Sequence, residues 1–182
     1  MKNNVIKTLK NFTIDVLDLF LGIPESVILS FDRKEFYRIM NGIPTERVIT
    51  ASRIAKFISN SKRSGYVTVQ KVGGQESIVF TNKARLAVID RIAERTVTDQ
   101  KYRFVSFDIP ERLRKNRNQF RRVIKRLGFR QIQQSLWVSD RSIGDLVEMA
   151  ANEFKIEQYV VYLVCEHTNI NKTLLDKLTI TK

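Results

Sequence analysis

Residues 101–138, KYRFVSFDIPERLRKNRNQFRRVIKRLGFRQIQQSLWV, decide how the chain is read. An apolar strand pattern ends at Asp108, and Ile109-Pro110 breaks it, because proline has no N–H for a ladder. A helix is predicted from Glu111 to Leu127, and Gly128 stops it. Its apolar stripe is Leu113, Phe120, Val123, Ile124 and Leu127. Around that stripe stand Arg112, Arg114, Lys115, Arg117, Arg121, Arg122, Lys125 and Arg126, against one acid, Glu111. A second strand, bending near Gln134-Ser135, then carries Trp137, which completes a β-α-β unit.

Outward from this unit, Ser139 or Asp140 is expected to cap a helix to about Phe154, and Glu157 to Cys165 forms a third strand. Asn169 to Thr179 suggests a short terminal helix. Strand, helix, two strands, helix, strand is the order of a ferredoxin-like α+β sandwich with its helices on one face. The first strand is apolar on both faces, which suits a central place in the sheet.

On the N-terminal side, Lys2 to Leu21 has helical apolar spacing, ended by Gly22 and Pro24. Asp32 with Glu35 matches a capping box for a helix to about Met40. After the turn Asn41-Gly42-Ile43-Pro44, Thr45 is expected to cap a third helix to about Arg63. Val48, Ala51, Ile54, Ala55 and Ile58 share one face of it; Ser52, Arg53, Lys56, Asn60 and Arg63 share the other. Tyr66 to Lys71 and Gln75 to Phe80 read as strands joined at Gly73-Gly74. Thr81 caps a last helix to about Glu94, and Glu94 to Gln100 reads as a polar linker. That order is the winged helix-turn-helix order, in which the third helix enters the major groove and the hairpin lies along the backbone. The expected domains are therefore 1–95, a winged helix-turn-helix, and 96–182, a ferredoxin-like dimerisation domain.

Composition narrows the partners. Thirty-two basic against nineteen acidic residues give a net charge of +13 and a pI near 10. Residues 1–95 hold sixteen basic and nine acidic groups, and residues 96–182 hold sixteen and ten, so both halves attract polyanions. No apolar run reaches the ~18 residues of a membrane span, and no leader pattern is expected. The single cysteine, Cys165, sits in the strand-like YVVYLVC and is expected to be a buried, inert thiol, which fits a reduced cytoplasm. His167 is the sole histidine, so histidine-based metal clusters and Ser-His-Asp machinery have no support.

Two resemblances then attach to particular residues. Phe107-Asp108-Ile109 and Gln131 to Trp137 resemble the first- and second-strand motifs of the CRISPR-associated protein 2 nucleases. Phe107-Asp108-Ile109-Pro110-Glu111, Arg117, Leu127-Gly128-Phe129 and Leu136-Trp137-Val138 resemble the signature of PaaX-type phenylacetate-degradation repressors. Those repressors join a winged helix to a domain of this kind, and then continue into a further domain that this sequence does not include. The resemblance implies a repressor of transcription, expected to bind double-stranded DNA as a homodimer; no cofactor is expected, save Mg under the nuclease alternative below.

The residues expected at DNA are Thr45, Ile49 and Ser52 near base edges, with Arg53, Lys56, Asn60 and Arg63 beside them. Lys71 and Gln75 on the wing, and Lys83 and Arg85 after it, are expected at phosphates. Arg114, Arg117, Arg121, Arg122 and Lys125 are expected at anions. The alternative is an enzyme or assembly factor: a Mg-dependent nuclease or CRISPR spacer-acquisition scaffold. There Asp108, with Glu111 one turn on, is the candidate metal ligand and catalytic group. The plainer reading is that Asp108 satisfies turn N–H groups, Glu111 favours the helix dipole, and Trp137 fills the core.

Overall fold

The computed structural model describes residues 12–18, 20–21, 30–42 and 50–169. Contacts divide the chain into two compact units, residues 1–88 and 89–182. Each is mixed in class, with helices packed on one antiparallel sheet.

In the first unit, helix α1 is described over residues 12–18 and 20–21, with Val16, Leu17, Phe20 and Leu21 buried. Strand β1, Ser30–Asp32, leads directly into α2, Arg33–Gly42. The sequence read an apolar link where β1 lies, because three residues are too few to show alternation. Asp32 therefore ends a strand and borders the helix. Helix α3, Ala51–Arg63, is capped by Thr50, whose hydroxyl accepts the Arg53 N–H. The helix thus starts beyond the position expected from Thr45, which lies with Ile49 and Val48 outside the described residues. Strands β2, Val67–Val72, and β3, Gln75–Phe80, join through Gly73 and Gly74 at φ +58° and +84°. Two successive left-handed residues make the tight turn that matches strand twist. The sheet order is β1-β3-β2.

The core here is aromatic. Phe20 stacks on Phe36 at 4.7 Å and on Phe80 at 5.4 Å, and Phe36 stacks on Phe57 at 6.1 Å. Ile54, Phe57 and Ser61 are the buried residues of α3, whereas Ala51 and Ala55 are exposed. The inward stripe is therefore rotated from the expected one, because burying Phe57 gains far more than burying two methyl groups.

Thr81 caps α4, Asn82–Ala87, accepting from the Ala84 N–H while its hydroxyl donates to the Gly65 carbonyl at 2.7 Å. The expected single helix to Glu94 is two: α4 breaks at Val88, and α5 runs Ile89–Arg95.

The second unit continues with β4, Thr98–Phe107, which takes in residues expected to be linker. Gln100 at φ +64° marks a register shift between Thr98 and Arg103. An irregular start hides a strand from a period-two pattern. A single 3-10 turn, Glu111–Leu113, precedes α6, Arg114–Arg126, and Gly128 at φ +89° ends it. Strands β5, Arg130–Gln131, and β6, Leu136–Arg141, form a hairpin whose bend covers the expected Gln134-Ser135. Helix α7, Gly144–Glu153, starts beyond Ser139 and Asp140, which belong to β6, and has no side-chain cap. Strand β7, Val160–Cys165, follows a 3-10 turn at Glu157–Tyr159. The expected terminal helix lies mostly outside the described residues.

The sheet order β5-β6-β4-β7, antiparallel throughout, places β4 centrally, as its apolar faces require. Phe107 meets Phe120 of α6 edge-on at 5.4 Å and stacks on Trp137 at 6.4 Å. Trp137 is thus a core residue, 2% exposed. A Cβ on Gly144 would lie 2.8 Å from the Tyr162 ring, so α7 meets β7 closely enough that a larger residue there would have to displace that ring. Both helices therefore cover the face that carries Val105, Phe107, Trp137 and Tyr162.

The opposite face carries a small apolar cluster. Phe104 and Val138 are buried, with Tyr102, Ile132, Leu136 and Cys165 packed against them. Leu163, paired with Phe104, and Val161, paired with Ser106, are 49% and 53% exposed. Cys165 is only partly buried, contrary to expectation, because β7 lies at the sheet edge.

Candidate nucleic-acid interface

Three groups of side chains carry the chemistry, and each is built locally. On α3, successive residues turn by ~100°, so Ser52, Arg53, Lys56, Asn60 and Arg63 fall within a ~100° arc. Ser52, Lys56 and Arg63 are exposed, and Arg53 and Asn60 are half-buried. The helix contains no acid. Arg63 donates to the Asn60 side-chain oxygen at 3.1 Å, which orders the last turn of that face. Arg53 places its guanidinium 4.1 Å from the centre of the Phe12 ring, so part of its charge is spent inside the unit. Ser59, exposed between Lys56 and Arg63, belongs to the same face and was missed, since nothing but its angular position marks it.

On the hairpin, Lys71 and Gln75 are exposed. Lys71 lies directly across from Glu76, a register the sequence does not show, and the carboxylate reduces the field of that tip. Lys83 is exposed, with its ammonium 5.8 Å from the Tyr66 ring, and Arg85 is half-buried.

The second group is α6. Seven of its thirteen residues are basic and none is acidic. The five expected at anions differ in what holds them. Arg117 donates to Glu111 at 2.8 Å and to the Ile109 carbonyl at 3.1 Å. That bond holds the Glu111 carboxyl below its ordinary value. Arg121 donates to the Gln134 carbonyl at 3.3 Å and lies 5.8 Å from the Phe107 ring. Lys125 lies 5.9 Å from the Trp137 ring. Arg114 reaches Glu111 only at 3.6 Å and remains well exposed. Arg122 is exposed and has no partner among the described residues, as is true of Lys115. Arg126, outside the expected five, donates to Asp90 of α5 at 2.6 Å.

The third group is a cleft of about 640 Å³ at the end of β4, lined by residues that include Ser106, Asp108, Glu111, Arg117, Arg121 and Ser135. Asp108 is exposed, and its backbone N–H donates to the Tyr159 carbonyl at 3.1 Å. Its carboxylate accepts no hydrogen bond among the described residues, so it does not cap the Ile-Pro turn as the plainer reading had it. Glu111, the expected helper, is tied to Arg117. No group of three or more metal-ligating side chains occurs among the described residues.

One polar cluster went unread in the sequence. Arg103, 3% exposed, turns its guanidinium onto both Asp99 carboxylate oxygens and the Lys101 carbonyl. These bonds lower the Asp99 carboxyl to about 2. Burial raises Tyr162 beside it. An arginine within an apolar strand was the available signal, since such a charge needs an internal partner.

Among the described residues no helix is long and apolar enough to cross a membrane. Residues 95–174 match the family model described as the PaaX protein central Cas2-like domain. No curated protein and no solved structure matches the chain.

Proposed function

We propose that this chain, whose residues 95–174 match the PaaX central Cas2-like domain model, is a cytoplasmic regulator of transcription, a repressor that binds double-stranded DNA as a homodimer. The β-α-β-β-α-β order of the second unit fits that match. The first unit acts as a winged helix-turn-helix: α3 is its reading helix and the β2–β3 hairpin its wing. The observation that carries this reading is the acid-free arc of Ser52, Arg53, Lys56, Asn60 and Arg63 on α3, placed directly before that hairpin. Lysine and arginine neutralise phosphates, and serine and asparagine hydrogen-bond base edges or sugar. Thr45 and Ile49, just ahead of α3 in the sequence, complete the proposed contact set.

The dimer forms through the second unit. Its open sheet face joins the Phe104–Val138 cluster to the half-exposed Leu163 and Val161, and a second copy covers that surface. Two-fold pairing presents two reading helices to related half-sites.

The test is selection of bound fragments from a random genomic duplex pool, with and without Mg²⁺. Recovery of one palindromic sequence, uncut in Mg²⁺ and lost in a Lys56→Ala/Arg63→Ala variant, supports the regulator. Cleavage that requires Mg²⁺ and disappears in Asp108→Ala overturns it in favour of a nuclease that uses the free Asp108 carboxylate.

A further inference from the structure

We infer that the solvent face of α6, formed by Arg114, Lys115, Asn118, Gln119 and Arg122, is a second nucleic-acid surface, one that holds the phosphodiester backbone of duplex DNA without reading its sequence. The inference rests on the proposal that duplex DNA is the partner.

The argument begins with what α6 lacks. A solvated helix ordinarily interleaves acids and bases four residues apart, and each such pair stabilises it slightly. In α6 the pairs Arg117–Arg121, Arg121–Lys125 and Arg122–Arg126 are all like-charged, with no acid between positions 114 and 126. The nearby carboxylates do not relieve this evenly. Glu111 and Asp90 each hold one flanking arginine, Arg117 and Arg126. Arg121 and Lys125 lean on Phe107 and Trp137. Arg114, Lys115 and Arg122 are left exposed to solvent, and Lys115 and Arg122 have no partner among the described residues.

These residues are contiguous. Positions 114, 115, 118, 119 and 122 fall within an arc of ~140° and along ~12 Å of helix. They line one shallow hollow that contains no carboxylate. Between the cations stand the amides of Asn118 and Gln119, which can donate to phosphate oxygens. The underside of the helix is fixed by Phe120, Val123 and Ile124 in the core, so packing sets the positions along the backbone from which these side chains reach into solvent. A row of cations projecting from one fixed helix, with interspersed amides, matches a regular polyanion, and has no group arranged to discriminate bases. The charge complementarity favours a phosphodiester backbone over an acidic protein, whose carboxylates carry no fixed spacing.

The full chain should be titrated with a short random-sequence duplex across a salt series, as wild type, as Lys115→Ala/Arg122→Ala and as Lys115→Arg/Arg122→Lys. Each lost phosphate contact reduces the slope of log affinity against log salt by ~0.9, so the alanine pair should lower it by about 1.8. The charge-conserving pair should keep the wild-type slope, and thermal melting should confirm that all three fold alike. An unchanged slope in the alanine pair overturns the inference. Equal or tighter binding of poly-glutamate, lost in the same variant, also overturns it and makes the face a protein-docking surface. Repeating the titration in the Lys56→Ala/Arg63→Ala background separates the two proposals. If α3 does not touch DNA, Lys56→Ala/Arg63→Ala alone keeps the wild-type slope while the α6 pair still lowers it; if only the α6 inference fails, Lys56→Ala/Arg63→Ala lowers the slope and the α6 pair adds nothing.

Discussion

Helices α3 and α6 are each thirteen residues long and each turns a basic face outward, yet the groups set between their charges differ. Helix α3 carries four bases among serines and asparagine and is fixed at its start by the Thr50 hydroxyl. Helix α6 carries seven bases, has no side-chain cap, and is entered through a 3-10 turn. Varied hydrogen-bonding groups on a modest charge suit discrimination between bases. Uniform charge suits attraction to a backbone that is the same everywhere. The difference teaches that net charge locates a polyanion surface, while the groups between the charges indicate what that surface can distinguish.

The largest test removes the anchors. Phe120 of α6 is fully buried and Phe57 of α3 is 3% exposed, so truncating either to alanine should cost about 3–5 kcal/mol. Denaturant unfolding followed separately in each unit checks this. Phe57→Ala should weaken residues 1–88 and Phe120→Ala residues 89–182; equal losses in both units would show that the helices are not independently seated.

The next test concerns recognition. Lys56→Ala/Arg63→Ala should shrink the ratio of operator to random-duplex affinity, whereas Lys115→Ala/Arg122→Ala should lower both affinities together and leave the ratio near its starting value. Competition binding at fixed salt measures it. A smaller ratio in the α6 variant would erase the proposed division of labour.

Capping gives a smaller effect. Thr50→Ala should destabilise by about 1 kcal/mol, measured by thermal unfolding, because the Arg53 N–H loses its acceptor.

The smallest effect is set by acid. Arg103 holds the Asp99 carboxyl down to about 2, so its contribution to stability is fully present above pH ~4 and is lost as pH falls through 2. Asp99→Asn should therefore flatten the acid limb of the second unit's unfolding curve and leave the first unit's curve alone. An unaltered acid limb would show that the Arg103 pair does not hold the start of β4.

Much of this was legible in the residues and some was not. The hairpin at Gly73-Gly74, the end of α6 at Gly128 and the central place of β4 follow from local chemistry: left-handed turns, a helix stop and a strand apolar on both faces. The polar arc of α3 also followed, because angular position alone defines it. The starting residues of α3 and α7 did not, since several serines, threonines and aspartates competed for the cap and packing chose among them. Strand β1 and the first residues of β4 were hidden for opposite reasons, one too short and one bulged. In the cleft, Asp108 was singled out by its neighbours in sequence, but only the fold reveals that its carboxylate caps nothing. Arg103 in an apolar strand signalled the need for an internal partner, but not that the partner is Asp99, because a bulge brings together side chains that a regular strand would keep apart along its length.

The four-stranded sheet has unequal margins. At one margin β5 offers two residues; at the other β7 offers six, rich in exposed valine and leucine. A two-residue strand gives an incoming chain almost no ladder to extend, while a long apolar one invites it. Growth along such a sheet is one-sided. Were two copies to meet by their β7 margins, and not by the open face, each would then show only its stub, and the series would terminate at a pair instead of running on into a fibre. On that arrangement the brevity of β5 would be a stop signal for polymerisation, written into the same sheet that carries the proposed dimer face.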